Sequence, residues 1–301
     1  MKIENIKKKF SQSLFFNEKL SKYSWFNLGG PAEIFFKPKK KEELIEFLKL
    51  HNKVNQKITV IGAGSNTLIR DKGIKGLTIK LGKAFAFHNL VDKNILEVGS
   101  ATLDRNVSIF ALENSLSGLE FLSCIPGSIG GAIIMNSGCY NEEISKILIS
   151  FKTVNFSGEE KEFEKKDIKF FYRGSSLSKN EIIVSAKLQG IISTKESIIK
   201  KQKKFLEEKK LAQPTGVKTC GSTFKNPVNA KAWSLIKQSN CADLSYGDAK
   251  ISKKHCNFFV NDGQATSTDI EKLIKAVQEK VLKEKGVKLD LEIKVIGDTT
   301  E

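Results

Sequence analysis

A glycine-rich segment with almost no charge, residues 117–140, constrains the fold of this chain more than any other stretch. It contains five glycines and one proline, and Glu120 is its sole charged side chain. The glycines interrupt any long helix, and a segment so poor in charge is unlike a solvent-exposed linker. We therefore expect these residues to be buried and in contact with another part of the molecule or with a ligand.

The pattern of apolar residues around this segment predicts mixed α and β structure. Helices are predicted at 41–50, 102–116 and 194–211, the second ending at Gly118. Short strands are predicted at 58–61, 77–81, 94–98, 147–156 and 181–188. At 301 residues the chain exceeds the usual size of one hydrophobic core, so two or three domains are expected.

The C-terminal region has the clearest local signals. Thr268 and Glu271 fit a capping box at the start of a helix that Gly286 ends. One face of that helix is apolar and carries Ile270, Leu273, Ile274, Val277 and Val281. Residues 289–295 then alternate apolar and polar, which predicts a strand with Glu292 opposite the buried face. The face of Glu292 meets either solvent or a cleft.

The formal charge of +16 suggests a nucleic-acid-binding protein at first sight. However, the lysines are spread over the whole chain, and no basic run is interleaved with stacking aromatic residues. Solvated helix faces explain the charge better, so no nucleic-acid partner is expected. A basic surface would still attract an anionic small molecule such as a nucleotide.

Several other classes of protein are disfavoured. The five cysteines form no Cys-x-x-Cys pair, which argues against a disulfide framework and a zinc site, so free thiols are expected. The three histidines lack the spacing of metal ligands, and no metal is expected. No apolar run approaches the roughly 20 residues that a membrane span needs. We expect a cytoplasmic protein without membrane association.

Two glycine-containing loops predict a cofactor. Gly62-Ala63-Gly64-Ser65-Asn66 follows a predicted strand, but Thr67 stands where a dinucleotide fingerprint has its third glycine, so a Rossmann fold is not expected. Backbone N–H groups of such a turn can converge on a phosphate. The second loop, Ile125-Pro126-Gly127-Ser128-Ile129-Gly130-Gly131-Ala132, could admit a flat ring or a pyrophosphate. Together the loops indicate one large cofactor held between two lobes.

Two further stretches have the composition of a site. In residues 218–227, Gly221 removes a side chain that would crowd a ligand beside Ser222, although an ordinary polar turn explains these residues as well. Ser222 has no neighbouring histidine, so a hydrolytic nucleophile is not indicated. Arg173 is one of only three arginines in a lysine-rich chain, which suggests a task for a planar, bidentate donor, with a surface ion pair as the alternative.

Taken in order, these motifs resemble the UDP-N-acetylenolpyruvoylglucosamine reductases, the flavoenzymes that complete UDP-N-acetylmuramate in bacterial peptidoglycan synthesis. The resemblance runs from about Tyr23 to Gly297 and rests on seven motifs. These are Leu28-Gly29-Gly30-Pro31-Ala32, residues 62–66, Gly118-Leu119-Glu120-Phe121 with residues 125–131, Tyr172-Arg173-Gly174-Ser175, residues 221–227, His255-Cys256-Asn257-Phe258, and residues 292–297.

The resemblance implies an α+β fold with an FAD-binding half of the vanillyl-alcohol-oxidase type and a C-terminal α+β substrate domain. The expected boundaries are 1–80 for the first FAD-binding lobe, 81–193 for the second and 194–301 for the substrate domain. NADPH would reduce the FAD and then leave the site to the enolpyruvyl ether of UDP-N-acetylglucosamine. A monomer acting on this small UDP-sugar is expected.

The resemblance also implies roles for individual residues. Arg173, Ser222 and Glu292 would be the catalytic residues. FAD would be held by the two loops, through Gly62, Ala63, Gly64, Ser65, Asn66, Ile125, Pro126, Gly127, Ser128, Gly130, Gly131 and Ala132. The UDP-sugar would be bound by Tyr172, Lys225, Asn226 and Lys210, and Lys209 is an equal candidate for the diphosphate contact.

The implied chemistry accounts for the three catalytic residue types. Hydride addition to the enolpyruvyl group leaves negative charge on the adjacent carbon and its carboxylate, which the cation of Arg173 would hold. Ser222 would give a proton to that carbon. A second anion about 4 Å away would cost roughly 4 kcal/mol at an effective dielectric of 20. We therefore hypothesise that Glu292 is protonated in the reactive complex or orients a cation.

Two departures from the family pattern affect these expectations. Cys220 stands where these enzymes often have a smaller residue, and we expect a small packed side chain there. The short spacing between Tyr140 and Tyr172 indicates the subgroup without an extra lid over the substrate. Two alternatives to the reductase are another flavin oxidoreductase of the same fold and, from the charge alone, a basic nucleic-acid-binding protein.

Overall fold

A computed structural model describes residue 6, residues 8–52 and residues 56–299. The described residues form two compact units, each assembled from separate segments of the chain. The first unit takes its residues from Met1–Phe16, Ile34–Ala63 and Gly76–Lys209, and the second from Asn17–Glu33, Gly64–Lys75 and Lys210–Glu301. The three-part division expected from the sequence stays a prediction.

Helices and strands alternate along much of the chain. The helices are α1 Lys41–His51, α2 Asp104–Glu113, α3 Ile129–Met135, α4 Ile144–Ile147, α5 Lys195–Ala212, α6 Ala232–Gln238 and α7 Ser267–Lys285. Short 3-10 turns lie at Leu20–Tyr23, Lys83–Phe85, Glu120–Cys124 and Lys165–Asp167. Among the described residues, no helix combines the length and the apolar character needed to cross a membrane.

The strands are short. They are β1 Leu14–Lys19, β2 Pro31–Phe36, β3 Ile58–Ile61, β4 Thr67–Ile69, β5 Ile74–Lys80, β6 His88–Asp92, β7 Ile95–Gly99, β8 Leu116–Ser117, β9 Gly138–Cys139, β10 Glu142–Glu143, β11 Leu148–Asn155, β12 Glu160–Glu164, β13 Phe170–Phe171, β14 Gly174–Ser175, β15 Glu181–Gln189, β16 Ile191–Ile192, β17 Ser245–Tyr246, β18 Ala249–Ile251, β19 Phe259–Asn261 and β20 Lys294–Ile296. The mixed α and β structure predicted from the sequence is confirmed.

The larger sheet of the first unit is antiparallel and follows the order β12-β11-β15-β7-β6. The central strand β15 is buried along most of its length, whereas the edge strand β6 is exposed throughout. The strands predicted at 94–98, 147–156 and 181–188 are confirmed to within one residue at each end. Their apolar runs identified them because strands buried on both faces have little room for polar side chains.

A second part of the first unit contains α1 and the parallel pair β3 and β5. Acidic Glu42 and Glu43 lie in the first turn of α1 and Lys49 in the last, which complements the helix dipole. Phe47 of α1 stacks on Phe36, with ring centroids 3.9 Å apart. The helix predicted at 41–50 and the strand at 58–61 are confirmed, and β5 begins three residues before the predicted strand at 77–81.

The glycine-rich segment is buried, as predicted. Phe121, Ile129 and Ile133 have no exposed surface, and the segment folds into a 3-10 turn, the seven-residue helix α3 and short strands. Its apolar side chains belong to the same core cluster as Leu96 and Val98 of the five-stranded sheet. The low charge of the segment therefore accompanies the burial of most of its apolar side chains, although Ile134 is exposed.

The end predicted for α2 is wrong. The helix stops at Glu113, and Gly118 plays no part in its termination. The side-chain amide of Asn114 donates to the Phe110 carbonyl at 2.8 Å, and Ser115 takes the left-handed conformation with φ of +58°. A non-glycine residue thus occupies the position where glycine is the usual signal.

The second unit has its own core, in which the apolar face of α7 packs with Phe26, Phe224 and Phe259. All five residues predicted for that face are buried. Strands β17, β18 and β19 form one small sheet, and β20 pairs in parallel with β4. Gly286 ends α7 in the left-handed conformation, as predicted.

The capping box predicted for α7 is displaced by two residues. The hydroxyl of Thr266 accepts from the Asp269 N–H, and the Thr266 N–H donates to the Asp269 carboxylate at 2.9 Å. The predicted pair is engaged elsewhere: Thr268 donates its hydroxyl to Asp71, and Glu271 pairs with Arg70 at 3.0 Å. Both Thr266 with Asp269 and Thr268 with Glu271 have the spacing of a capping box. The contacts of Thr268 and Glu271 with Asp71 and Arg70 leave the cap to Thr266 and Asp269.

The alternation of residues 289–295 is partly confirmed. Leu289 and Ile293 are buried while Asp290 and Lys294 are exposed. However, regular strand pairing is limited to β20, because the residues before it pair with a different segment, residues 223–225. Residues 289–295 are therefore extended and alternate in burial like one strand, but they pair first with residues 223–225 and then with β4.

Candidate active site

Ser222 and Glu292 lie on neighbouring segments of the second unit that are joined by backbone hydrogen bonds. The Glu292 N–H donates to the Thr223 carbonyl at 2.9 Å, and the Lys225 N–H donates to the Asp290 carbonyl at 2.8 Å. Both Ser222 and Glu292 are half-buried. The structure therefore brings together two of the three predicted catalytic residues at the level of their backbones.

Asn257 holds the other side of the Ser222 segment. Its carbonyl accepts from the Thr223 N–H at 2.7 Å. Its side chain accepts from the Phe224 N–H at 2.9 Å and donates to the Phe224 carbonyl at 2.8 Å. Asn257 is buried, and no role was assigned to it from the sequence, although it belongs to one of the quoted motifs. Its contacts are with residues far away in sequence, so no local pattern reveals them.

The space beside Ser222 is open. Gly221 has φ of +78°, and a side-chain carbon placed on it would meet no atom within 4 Å. Glycine adopts this left-handed conformation at the lowest cost, so the backbone favours glycine here. The thiol of Cys220 donates to the carbonyls of Gly64 at 3.5 Å and Thr67 at 3.3 Å, and burial raises its pKa to about 11. The expectation of a packed side chain at Cys220 is confirmed.

Arg173, the third predicted catalytic residue, belongs to the first unit. It lies with Tyr172 in the turn between β13 and β14, and its φ of +56° is unusual for a residue with a side chain. One guanidinium nitrogen donates to the Gly138 carbonyl at 3.1 Å, and the group lies 5.1 Å from the centre of the Tyr172 ring. Such backbone strain is common at functional sites.

Arg70, another of the three arginines, has a structural role in the second unit. Its guanidinium makes a bidentate pair with Glu271 at 3.0 Å and donates to the Gly297 carbonyl at 3.1 Å. These contacts raise its pKa further. The ion-pair alternative that the sequence left open thus applies to Arg70.

A cavity of about 340 Å³ lies within the first unit. Five of the predicted cofactor residues line it: Gly62, Ala63, Ser128, Gly130 and Gly131. The structure therefore brings the start of the first loop and the middle of the second loop to one cavity. Four other predicted residues of the first unit lie off its wall, namely Ile125, Pro126, Gly127 and Ala132. Gly64, Ser65 and Asn66 are residues of the second unit.

The glycines of these loops have different tasks. A side-chain carbon on Gly62 or Gly131 would lie 3.4 or 3.9 Å from the Ser128 hydroxyl, so both positions have room on the cavity side. At Gly127 it would lie 2.6 Å from the carboxylate of Asp104, and at Gly64 it would strike a backbone carbonyl at 1.8 Å. Gly62 and Gly131 form an open surface, whereas Gly127 and Gly64 are fixed by close packing.

Five polar residues that were not predicted also line the cavity, namely Lys80, Ser100, Ser178, Lys179 and Glu181. Lys80 donates to the Gly62 carbonyl, and burial together with nearby Lys37 lowers its pKa to about 8. The Ser100 hydroxyl and one carboxylate oxygen of Glu181 are buried and have no hydrogen-bond partner within the described residues. Lys80 and Ser100 lie at or just after the end of a strand, a position that could have marked them.

The open glycines, Lys80 and Ser100 fit an anionic nucleotide such as FAD, whereas the carboxylate of Glu181 would have to face an uncharged part of it. An ammonium group can neutralise phosphate charge, and the buried hydroxyl of Ser100 is a hydrogen-bonding group that a ligand could satisfy. The open glycine surface allows a ligand to approach the backbone closely. The buried Ser100 hydroxyl and the free space beside Gly62 and Gly131 support this fit without reference to any other protein.

The predicted substrate residues are placed separately. Lys225 is half-buried in the hydrogen-bonded segment next to Ser222. The side-chain oxygen of Asn226 accepts from the Ala232 N–H at 3.0 Å, at the start of α6. Lys210 is exposed, whereas the ammonium group of Lys209 donates to the Cys124 carbonyl at 2.8 Å. Lys209 thus has a structural contact that Lys210 lacks among the hydrogen bonds described.

Two families of known proteins match different parts of the chain. Residues 213–296 match the family described as UDP-N-acetylenolpyruvoylglucosamine reductase, C-terminal domain. Residues 32–164 match the family described as FAD binding domain. The first match contains Ser222 and Glu292, and the second contains the loops that line the cavity.

Whole proteins of this kind are similar over nearly the full chain. A UDP-N-acetylenolpyruvoylglucosamine reductase of Pelagibacter ubique is 42% identical over 302 residues, covering 98% of this chain and 100% of the relative. That of Wolbachia pipientis subsp. Culex pipiens is 42% identical, covering 94% and 95%. The crystal structure of the reductase from Thermus caldophilus has a TM-score of 0.81 at 32% identity, covering 94% of this chain and 97% of that one. The chain belongs to the UDP-N-acetylenolpyruvoylglucosamine reductase family.

Proposed function

We propose that the protein is a UDP-N-acetylmuramate dehydrogenase. It reduces the enolpyruvyl ether of UDP-N-acetylglucosamine to UDP-N-acetylmuramate for peptidoglycan synthesis, with NADPH as reductant and FAD as cofactor. The observation that carries the proposal is the hydrogen-bonded pairing of the Ser222 and Glu292 segments in a chain similar to such reductases over nearly its whole length. Bound FAD, once reduced by NADPH, supplies the hydride.

The cavity of the first unit is the proposed place for part of the FAD. Gly62, Gly131 and Ser128 would contact it through the open glycine surface, and Ala63 and Gly130 complete that wall. Lys80 and Ser100 are added to the predicted set as a cation and a hydroxyl for the anionic ligand. The other predicted cofactor residues are retained as proposals, namely Gly64, Ser65, Ile125, Pro126, Gly127 and Ala132, whereas the side chain of Asn66 binds the Glu292 carbonyl instead.

Ser222 is proposed as the proton donor. The next residue, Thr223, is hydrogen-bonded on one side to Asn257 and on the other to Glu292, and the space beside Gly221 is open. A donor held in place before the reaction needs little reorganisation when the proton moves. The hydroxyl would protonate the carbon of the enolpyruvyl group that carries the developing negative charge, a contribution of about 10²–10⁴-fold.

Arg173 is proposed to hold that negative charge. Its guanidinium is permanently charged and planar, and the Gly138 carbonyl and the Tyr172 ring orient it. Preorganised cations of this kind act on charge as it develops. Glu292 is proposed to be protonated in the reactive complex or to orient a cation, because a second bare anion would oppose the same charge.

The remaining proposals concern the substrate-binding residues, the cellular compartment and the partners of the protein. Tyr172, Lys225, Asn226 and Lys210 are proposed to bind the UDP-sugar, with Lys209 less suited because of its contact with Cys124. The protein is proposed to act in the cytoplasm as a monomer, without a nucleic-acid partner. The spread of its lysines over the whole chain supports the last point.

Removal of the Ser222 hydroxyl should separate the two half-reactions. In anaerobic stopped-flow experiments, NADPH should reduce the flavin of Ser222→Ala at close to the wild-type rate. Reoxidation by enolpyruvyl-UDP-N-acetylglucosamine should slow by about 10²–10⁴-fold, since only this step needs the proton.

Ser245→Ala, at an exposed serine of the same unit, is the control and should leave both steps unchanged. Wild-type reoxidation in Ser222→Ala would rule out the proton-donor role. A wild-type protein whose reduced flavin is not reoxidised by this substrate would overturn the proposed function itself.

Gly62→Ala should fold normally and bind FAD roughly tenfold more weakly, a difference of about 1.4 kcal/mol. The new methyl group has room in the protein, at 3.4 Å from the Ser128 hydroxyl, but projects from the proposed cofactor surface. Flavin fluorescence titration measures the affinity, and urea unfolding of the apoprotein measures stability. Gly82→Ala, whose methyl would meet a flexible lysine side chain, is the control. Equal FAD affinity in Gly62→Ala and wild type would contradict the placement.

Lys80→Met should alter the pH dependence of apoprotein stability. The pKa of Lys80 is lowered from 10.5 to about 8 by burial, so between these values the unfolded chain binds more protons than the folded one. Stability supported by this group therefore rises with pH across that window. Urea unfolding should show this rise in wild type and in Lys83→Met, an exposed control, and a smaller rise in Lys80→Met. Identical pH profiles would refute the burial of the ammonium group.

A further inference from the structure

Asn66 was predicted to contact FAD, but its hydrogen bonds point to another task. Its side-chain amide donates to the Glu292 carbonyl at 3.1 Å, and its own carbonyl accepts from the Lys294 N–H at 2.9 Å. Both contacts lie within the second unit. Asn66 therefore binds the chain on the two peptide groups that follow Glu292.

The side-chain amide of Asn66 adds one hydrogen bond beyond the end of the pairing between β20 and β4. Strand β20 pairs in parallel with β4 from Lys294 onwards, opposite Thr67. Glu292 lies two residues before this pairing begins. The side chain of Asn66 supplies a hydrogen bond where backbone pairing has stopped, which is a common use of asparagine at the ends of regular structure.

Together with Thr223, Asn66 fixes the backbone of Glu292. The Glu292 N–H is bound to the Thr223 carbonyl at 2.9 Å, and the Glu292 carbonyl to the Asn66 amide at 3.1 Å. Holding both polar groups of one residue restrains its φ and ψ. The direction in which the carboxyl side chain leaves the backbone follows from those angles.

Other reasons for an asparagine at this position are weaker. Asparagine is favoured where φ is positive, but Asn66 is not in the left-handed conformation. Asparagine also often binds the backbone of its own turn, whereas the partner of this amide lies 226 residues away. The side chain thus serves a tertiary contact with the segment of a proposed catalytic residue.

We propose that Asn66 is a positioning residue for Glu292, coupling the end of the first glycine loop to the catalytic segment. The proposal rests on the proposed function, because the role of Glu292 does. It assigns the Asn66 amide to substrate reduction, the step in which Glu292 takes part. Flavin reduction by NADPH precedes that step and does not require the carboxyl group to be aligned.

Loss of the Asn66 amide should slow substrate reduction without slowing flavin reduction. In Asn66→Ala and in Asn66→Asp, which is similar in size but lacks the N–H donor, reoxidation of the flavin by enolpyruvyl-UDP-N-acetylglucosamine should slow by roughly 10–100-fold. Misplacement by about 1 Å can have an effect of this size. Flavin reduction by NADPH and FAD affinity should stay within about twofold of wild type.

Asn94→Ala is the matched control. Its side-chain amide also donates to a backbone carbonyl at 3.1 Å, that of Gly190, and it is half-buried like Asn66. It lies in the turn between β6 and β7 of the first unit, whereas Asn66 and Glu292 belong to the second unit. This variant should leave both half-reactions at wild-type rates, so a slow Asn66 variant cannot be ascribed to the loss of any amide–carbonyl bond.

Hydrogen exchange of the apoprotein gives a readout that does not depend on activity. The Glu292 amide should exchange faster in both Asn66 variants than in wild type and Asn94→Ala, because its segment has lost a restraint. Unchanged exchange, an equal slowing of both half-reactions, or a loss of FAD affinity as the main effect would each overturn the proposal. A wild-type enzyme that fails to reduce the enolpyruvyl substrate would overturn the proposed function instead, whatever the exchange rates show.

Discussion

The hydrogen bond from the Glu292 N–H to the Thr223 carbonyl is the contact on which the C-terminal site depends. It joins two segments that belong to no common regular sheet, and each is secured on its outer side by an asparagine. Asn257 holds the Ser222 segment, and Asn66 holds the Glu292 segment. Four short stretches of chain thus form a narrow ladder. A serine and a carboxyl group on separate loops would otherwise have too much conformational freedom to act together.

The first unit contains a cavity with features suited to a large anionic ligand. Its cavity has two glycines with open space beside them, a buried hydroxyl with no hydrogen-bond partner in the described part of the chain, and an ammonium group whose pKa is lowered by burial. Neighbouring glycines serve packing instead, since a side chain at Gly127 would collide with the buried carboxyl of Asp104. Only some of the glycines in the two loops are therefore needed for contact with a cofactor, and the others are needed for packing within the protein.

Much of the fold could be predicted from the sequence, because long apolar runs and helical periodicity reflect burial directly. The strands β11 and β15, the helix α5 and the apolar face of α7 were found in this way. Errors arose where two local signals competed. The capping box was assigned to Thr268 because a glutamate three residues on, here Glu271, is the usual partner, whereas the structure uses Thr266 with Asp269. The end of α2 was assigned to Gly118, whereas Ser115 takes the left-handed conformation after the helix. Asn257 was missed because its contacts join residues far apart in the chain. Lys80 and Ser100 were missed because the cavity that they line is built from several separate segments.

The central claim is that Ser222 and Glu292 act as one hydrogen-bonded unit in substrate reduction. A double-mutant cycle tests it most directly, using Ser222→Ala, Glu292→Gln and the combination. The measured quantity is the rate constant for flavin reoxidation by enolpyruvyl-UDP-N-acetylglucosamine. The two effects should be strongly non-additive, with a coupling energy above about 1 kcal/mol, as for residues that share one network. Rate losses that simply multiply would contradict the account.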